Sequence, residues 1–240
     1  MKGSRMTERA GQTAGRADRI LDAAAELLVR LGYRKVTIDD IARQAGIGKG
    51  TVYLHWRTKQ QLFEAVLLRE AISYVEELLD ELRRDPAMLL PHRFIPASFL
   101  IVDRRPVLRA LSEGYLRHTQ SRPADAFLHS QELLASERFY DLMTRHGLFR
   151  DDVPNLAYTL SATMTGFHAY ENLDPMATVP DMRAKVDSLA HVVRYAFESA
   201  EPPTSGELAK AVSEIIAVFE DLISPYRTWI YAYERTHEPG

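Results

Sequence analysis

Apolar residues recur at intervals of three and four along most of the chain, which is the spacing of one face of an α-helix. Gly32 follows the clearest of these stripes and predicts the end of its helix. No segment alternates apolar and polar residues with the period of a strand, and no internal repeat is present. The pattern therefore predicts an all-α protein with roughly ten helices. The clearest stripe, between residues 16 and 31, consists of Ile20, Ala23, Ala24, Leu27, Leu28 and Leu31.

Two short helices joined by a tight turn are predicted between residues 37 and 59. Thr37 is a candidate N-cap with Asp40 three residues later, which is the spacing of a capping box. Gly46 is expected to end the first helix, because glycine adopts a positive φ at low cost. The second helix, residues 49–55, begins with small and basic residues that allow its backbone to approach a ligand closely. This is a helix-turn-helix pattern, with the second helix as the recognition helix in a major groove.

The side chains around the recognition helix can hydrogen-bond phosphate oxygens and base edges. Val52 and Trp56 lie four residues apart and are predicted to point into the core, whereas His55 is placed on the outward face. Lys59 begins the next predicted helix, where backbone N–H groups and the helix dipole favour an anion. A solvated surface lysine is the alternative for that residue. The predicted DNA-binding residues are Arg16, Thr37, Lys49, Gly50, Thr51, Tyr53, His55 and Lys59.

The arrangement resembles the TetR family of bacterial one-component regulators over about the first quarter of the chain. The chain has Trp56 where the family usually has Phe, and Lys49 where the family often has Ser nearby. The resemblance implies a DNA-binding head, a divergent helical C-terminal domain with a ligand pocket, and an isologous four-helix dimer interface. The matching positions are the helix from Arg16, Gly32-Tyr33, Thr37-Ile38, Ile41-Ala42, Ala45-Gly46-Ile47, Gly50-Thr51, Tyr53, His55-Trp56 and Lys59.

In the remaining chain, capping residues and prolines mark where the predicted helices begin and end. A long helix is predicted from Thr58 to about Arg83, and a last one to about Arg235. Pro91 and Pro96 are expected to break or kink the helix that precedes residue 102. The predicted domains are a flexible basic arm over residues 1–15, a helix-turn-helix domain over 16–60, and a helical ligand-binding and dimerisation domain over 61–240. Further helix starts and stops are marked by Asp85-Pro86, Arg105-Pro106, Pro123, Gly147, Asp152-Val153-Pro154, Asp181 and Thr204 with Glu207.

Large apolar and aromatic residues are frequent in the middle helices. Such residues with scattered Tyr, His and Ser side chains can line a small-molecule cavity, and the resemblance implies one in this region. Packing in an ordinary core is the simpler alternative for each of them. The candidate ligand-binding residues are Phe99, Tyr115, Tyr140, Met164, Phe167 and His168.

Two late helices have the composition expected for self-association, because small residues allow helices to approach closely. A palindromic operator also requires a two-fold protein, with recognition helices ~34–36 Å apart. The first helix carries Leu156, Leu160, Thr163, Met164 and Phe167, with Ala157, Ser161, Ala162, Thr165 and Gly166 as small neighbours. The second carries Val186, Leu189, Ala190, Val193, Ala196 and Phe197.

The feature of the composition that adds most to the predicted domain organisation is the distribution of charge. The net charge is -3, but residues 1–60 carry twelve basic and six acidic residues, so that segment is +6 and the rest of the chain is -9. A basic module on an acidic body suits a protein that docks one end on nucleic acid, although chance surface patterning is the alternative. There is no cysteine, which excludes disulfides and thiolate sites. No apolar run of ~18 residues and no signal peptide are present, so we expect a cytoplasmic protein without membrane contact.

Other chemistries are poorly supported. The stretch GIGKGT at residues 46–51 lacks the first glycine and the Ser or Thr of a Walker A motif, and it follows a helix. The Glu-x-x-His order of di-iron bundles occurs once, at Glu234 and His237. We expect no catalytic residues, no metal and no cofactor. The sequence predicts a repressor that binds a palindromic operator as a homodimer and is released by a small apolar effector. The alternatives are a ligand-binding or catalytic bundle with a vestigial DNA-binding head, and an activator.

Overall fold

The computed structural model describes residues 2–109, 137–173, 176, 178–201 and 203–231. The described residues are about 78% helical and contain no strand, so the all-α prediction is confirmed. Residues 106–109 and 137–145 are also helical. The named helices are α1 (Lys2–Leu31), α2 (Ile38–Gln44), α3 (Lys49–His55), α4 (Lys59–Arg84), a 3-10 helix (Pro86–Leu89), α5 (Pro91–Asp103), α6 (Leu156–Leu173), α7 (Met182–Ala196) and α8 (Ser205–Ile230).

The chain forms two compact units. The first consists of Met1–Tyr74, Arg105–Asp125 and Leu222–Gly240, and the second of Val75–Arg104 and Ala126–Asp221. Helices α4 and α8 therefore each contribute to both units. The described part of α8 ends at Ile230, and the predicted end near residue 235 lies outside the described residues.

The first helix is longer than its apolar stripe predicts. It begins at Lys2, so the segment expected to be a flexible arm, residues 1–15, is helical from its second residue. This segment contains no proline, so every residue in it can supply the backbone N–H that a helix uses. Gly32 ends the helix with a φ of 76°, as its position after the stripe predicts.

The core of the first unit forms where α1 packs over the two short helices. Ile20 and Leu28 of α1, Ile41 of α2 and Val52 of α3 are all fully buried. Arg69 of α4 pairs with Asp22 at 2.8 Å. One turn earlier on α1, Asp18 accepts a hydrogen bond from the Tyr231 hydroxyl at 2.7 Å. Neighbouring positions of α1 thus contact both α4 and the end of the last helix.

Capping residues define several helix starts as the sequence predicts. Asp181 accepts from the backbone N–H of Ala184 at 2.8 Å, and Thr204 and Glu207 form a capping box. The predicted helix before residue 102 is broken at Pro91, where a 3-10 helix gives way to α5, as expected, but it is not broken at Pro96. Pro91 is the first residue of α5, where a missing N–H costs nothing, and Pro96 lies inside the same helix without ending it.

The second unit is built around the packing of α5 against α7. Leu189 and Val193 of α7 are fully buried within this unit. Three of the six apolar residues that the sequence assigns to self-association on α7, namely Leu189, Val193 and Phe197, therefore pack inside the protomer, whereas Ala196 is exposed. Glu198, itself buried, accepts from the His92 backbone N–H at 2.8 Å and lies 2.6 Å from its ring Nδ1, which fastens the start of α5 to the end of α7.

No helix in the described ranges is long and apolar enough to cross a membrane.

Candidate nucleic-acid interface

The helix-turn-helix is formed by α2, α3 and the turn between them. The Thr37 hydroxyl accepts from the backbone N–H of Asp40 at 3.2 Å, while the Asp40 carboxylate accepts from the backbone N–H and hydroxyl of Thr37. These hydrogen bonds lower the pKa of Asp40. Gly46 has a φ of 67°, and Ile47 donates its N–H to the carbonyl of Ala42 at 3.0 Å. The capping box and Gly46 therefore fix the start and the end of α2, as predicted.

The recognition helix α3 has a clear inner and outer face. Val52, His55 and Trp56 are buried on the inner face. On the outer face, Tyr53 is 41% exposed and Leu54 is 63% exposed. Gly50 is exposed and Thr51 is half-buried near the N-terminal end of the helix, the end that a helix-turn-helix places against base edges.

His55 is the one predicted contact on α3 that the structure places inward. Its side chain is only 7% exposed, and its ring centroid lies 5.4 Å from that of Trp56. Burial lowers the pKa of His55, and the positive charge of Arg16 acts in the same direction. The expectation of an outward His55 was wrong, because residue 55 is one helical turn after Val52 and shares its buried face.

Lys49 is the first residue of α3 and pairs with an acidic residue of α2. Its Nζ lies 2.7 Å from Asp39 Oδ2, and both side chains are about half exposed. The hydrogen bond to Asp39 raises the pKa of Lys49, so the lysine is fully charged at neutral pH. A cation at this position can meet a phosphate only by exchanging or sharing its carboxylate partner.

Lys59 begins α4 and contacts the turn that follows α1. Its Nζ donates to the carbonyl of Tyr33 and lies 4.4 Å from the centroid of the Tyr33 ring, a cation–π arrangement. The same tyrosine packs edge-on against Phe63 at 5.2 Å between centroids. Partial burial lowers the pKa of Lys59. The lysine therefore joins two elements of the protein, in addition to any contact with phosphate.

The other two predicted DNA contacts, Arg16 and Thr37, are exposed on α1 and at the start of α2. Sequence reasoning missed Leu54, the most exposed large apolar side chain of α3. Its signal was present in the sequence, because a residue two positions after Val52 and two before Trp56 must lie away from their shared face. An exposed leucine here can contact a thymine methyl group.

The predicted ligand-binding residues fall into separate places. Phe99 is buried, and its ring centroid lies 6.4 Å from that of Phe167 and 4.5 Å from that of His168. Burial lowers the pKa of His168, with Asp103 acting in the opposite direction. Met164 lies on α6, as do Phe167 and His168, and is half-buried. The structure thus brings together an aromatic cluster of Phe99, Phe167 and His168 between α5 and α6.

Tyr140 belongs to a different aromatic cluster. Its ring lies 5.7 Å from that of Phe139 and 6.1 Å from that of Phe149. Tyr115 lies outside the described residues.

A groove of about 450 Å³ lies on the second unit beside α8 and contains none of the predicted ligand residues. Four of its seven lining residues are ionisable, so it differs from the apolar pocket that the sequence suggested. The seven lining residues are Arg138, Asp141, Leu142, Arg145, Glu214, Ala217 and Val218. Within the described ranges, no cluster of His, Asp and Glu has the geometry to hold a metal ion.

Comparison with known families supports the assignment of the first unit. Residues 20–66 match the family described as bacterial regulatory proteins, tetR family. The transcriptional regulator SrpR of Pseudomonas putida is 27% identical over 207 residues, which are 81% of this chain and 92% of that protein. The transcriptional repressor KstR2 of Mycolicibacterium smegmatis is 27% identical over 149 residues, 59% of this chain and 71% of that protein.

Solved structures resemble the fold at low sequence identity. A transcriptional regulator from Saccharomonospora viridis in complex with choline aligns with a TM-score of 0.59 at 21% identity, over 78% of this chain and 99% of that chain. The SmeT–triclosan complex aligns with a TM-score of 0.53 at 19% identity, over 80% of this chain and 96% of that chain. At these identities the likeness supports the fold alone.

Proposed function

The chain is a helix-turn-helix transcriptional regulator of the TetR family, and we propose that it represses transcription by binding a palindromic operator as a homodimer. The outer face of α3 carries this proposal. Its inner residues are buried in the core of the first unit, while Tyr53 and Leu54 face outward from a short rigid helix. That is the geometry needed to present side chains to the floor of a major groove.

Contacts to the DNA backbone are assigned to residues of the recognition helix and of the helix ends beside it. Lys49 and Thr51 near the start of α3, Tyr53 on its outer face and Lys59 at the start of α4 offer ammonium and hydroxyl donors to phosphate oxygens. Arg16 and Thr37 are exposed and extend this set. His55 is left out of the proposal, because its side chain is buried against Trp56.

Dimerisation is assigned to the exposed face of α6. Tyr158 on this face is 76% exposed, so its ring is available for packing against a second copy. The small residues beside it allow a second copy of the helix to approach closely. The face consists of Ala157, Tyr158, Ser161, Ala162, Thr165 and Gly166, all exposed.

The effector is assigned to the aromatic cluster of Phe99, Phe167 and His168. This cluster offers two apolar rings and an imidazole whose pKa is lowered by burial, which suits a small molecule with apolar surface and a hydrogen-bonding group. Two structurally similar proteins have been solved with small molecules, one with choline, which is a cation, and SmeT with triclosan. Binding would favour a state in which the paired recognition helices no longer match the operator, and loss of operator affinity is the property to measure.

The DNA contacts can be tested by fluorescence anisotropy on the protein's own upstream DNA and on a scrambled duplex, at several salt concentrations. Tyr53→Phe and Lys59→Ala should weaken binding to both duplexes, because phosphate contacts carry no sequence information. Lys59→Ala should also reduce the slope of log affinity against log salt by about one.

Lys210→Ala, an exposed lysine of α8, is the matched control and should change neither affinity nor slope. Lys59→Ala could also act through its link to Tyr33, so thermal unfolding is measured in parallel. A variant that loses stability but keeps the wild-type salt slope would show that Lys59 is structural and not a phosphate contact. A wild-type protein that binds neither duplex would support the rival proposal of a helical bundle with a vestigial head.

A further inference from the structure

An acidic side chain lies among the residues proposed to meet DNA. Asp39, in the first turn of α2, approaches Lys49 of α3 to 2.7 Å, and its side chain is 56% exposed. Lys49 begins the recognition helix, the end that contacts DNA in a helix-turn-helix. A carboxylate therefore lies within hydrogen-bond distance of a cation that any duplex would attract.

The neighbouring Asp40 has a structural explanation that Asp39 lacks. The Asp40 carboxylate accepts from the hydroxyl of Thr37 at 2.6 Å and closes the capping box of α2. Asp39 takes no part in that cap, and its carboxylate is directed to the other helix of the motif. A favourable interaction with the N-terminus of α2 is available to Asp39, but any acidic residue in that turn could supply it.

We propose that Asp39 is a specificity-determining residue that restrains binding to duplexes in general. Phosphate contacts contribute the sequence-independent part of the affinity, so a carboxylate that holds Lys49 reduces this part for every duplex. An exposed ion pair is weak enough to be exchanged when the other contacts of the operator are made. A non-operator duplex lacks those other contacts and leaves the ion pair intact, so it forgoes the phosphate contact of Lys49. The ratio of operator to non-operator affinity therefore rises, which is discrimination by an unfavourable element. This inference rests on the proposed DNA-binding function.

The test compares the wild type with Asp39→Asn, Asp39→Glu, Lys49→Ala and the double variant Asp39→Asn with Lys49→Ala. Anisotropy is measured on upstream and scrambled duplexes between 50 and 200 mM salt. Asp39→Asn should strengthen binding to the scrambled duplex roughly threefold and steepen its salt slope by about one, since one more cation meets phosphate. Binding to the upstream duplex should strengthen less, so the affinity ratio falls.

The controls separate this effect from general charge and from folding. Asp80→Asn removes the same charge from an exposed ion pair within α4, with Arg83 at 2.8 Å, and should leave both affinities unchanged. Asp39→Glu keeps the charge and should behave as the wild type. In the Lys49→Ala background, Asp39→Asn should have no effect, because the restrained cation is absent.

Each outcome decides the inference. An Asp39→Asn variant with unchanged scrambled-duplex affinity, or with a higher affinity ratio, would overturn it while leaving the DNA-binding proposal intact. An equal gain in the Lys49→Ala background would also overturn it, because the effect would then be non-specific charge repulsion. A wild type that binds neither duplex would reject the DNA-binding function itself, and this inference with it.

Discussion

His55 shows that the position of a polar residue in the helical repeat determines whether its side chain is buried or exposed. A histidine in a recognition helix suggests a base or phosphate contact by its chemistry, yet its position one turn after Val52 places it in the core. The helical spacing in the sequence predicts this burial, whereas the chemistry of a histidine side chain favours an outward contact. The same spacing identifies Leu54 as an outward side chain.

Burial of His55 makes the stability of the first unit depend on pH. The pKa of His55 is lowered from 6.5 in the folded protein, so the unfolded chain takes up a proton at a higher pH than the folded one. The free energy of unfolding is therefore highest above pH ~6.5 and decreases as the pH falls through and below that value. His55→Gln should show a smaller decrease between pH 7.5 and 5.5 in denaturant titrations. His168, whose pKa burial also lowers, remains in this variant, so the decrease should be reduced and not abolished.

A decrease of wild-type size in His55→Gln would assign the pH dependence to other groups.

At the scale of the helix, the sequence predicts starts and stops well where a cap has a specific geometry. Thr37, Asp181 and Thr204 each cap the helix that was expected to follow them. Pro96 was harder to judge, because a proline in the second turn of α5 disturbs few hydrogen bonds and the helix continues. Residues 1–15 lack apolar periodicity, so their continuation of α1 left no signal in the pattern.

The sequence could not distinguish between the two late helices as dimerisation surfaces. An apolar stripe looks the same whether its partner is another helix of the protomer or a second copy. In α7, Leu189, Val193 and Phe197 of the stripe are buried within the protomer, while α6 keeps an exposed face of small residues around Tyr158.

Disruption of the α6 face should separate the copies. Ala162→Glu places a charge in the centre of this face, where burial against a second copy would be costly. We expect sedimentation velocity to show a shift from dimer to monomer, with operator affinity falling at least tenfold because a monomer reads one half-site. Ser213→Glu adds the same charge at an exposed position of α8 and should remain a dimer. A dimeric Ala162→Glu would place the interface elsewhere.

At the scale of the whole molecule, the distribution of charge separates a basic N-terminal segment from an acidic remainder. The positive charge is concentrated in residues 1–60 and the remainder is acidic, which suits a chain that docks one end on DNA. The effector site was harder to predict, because core and pocket residues share the same composition. The structure gathers only Phe99, Phe167 and His168 of the candidates, and one of the others, Tyr115, lies outside the described residues.

The effector proposal predicts that binding at the aromatic cluster and binding at α3 oppose one another. A small amphipathic molecule that binds the protein should lower operator affinity, and operator DNA should lower the affinity for that molecule by the same factor. His168→Gln should weaken this effect without changing operator affinity in the absence of the molecule. Paired titrations by calorimetry and anisotropy measure both. Unchanged operator affinity with every molecule that binds would reject the mechanism.

Only three residues separate the end of α3 from the start of α4. We therefore expect a movement of α4 to displace α3 as well. The 26 residues of α4 form a rod of about 39 Å at ~1.5 Å per residue. Rotating such a rod by about 5° displaces its tip by about 3 Å, close to the ~3.4 Å rise of a base pair. In the proposed mechanism, an angular change of a few degrees in α4 would therefore be enough to shift the recognition helix by about one base pair.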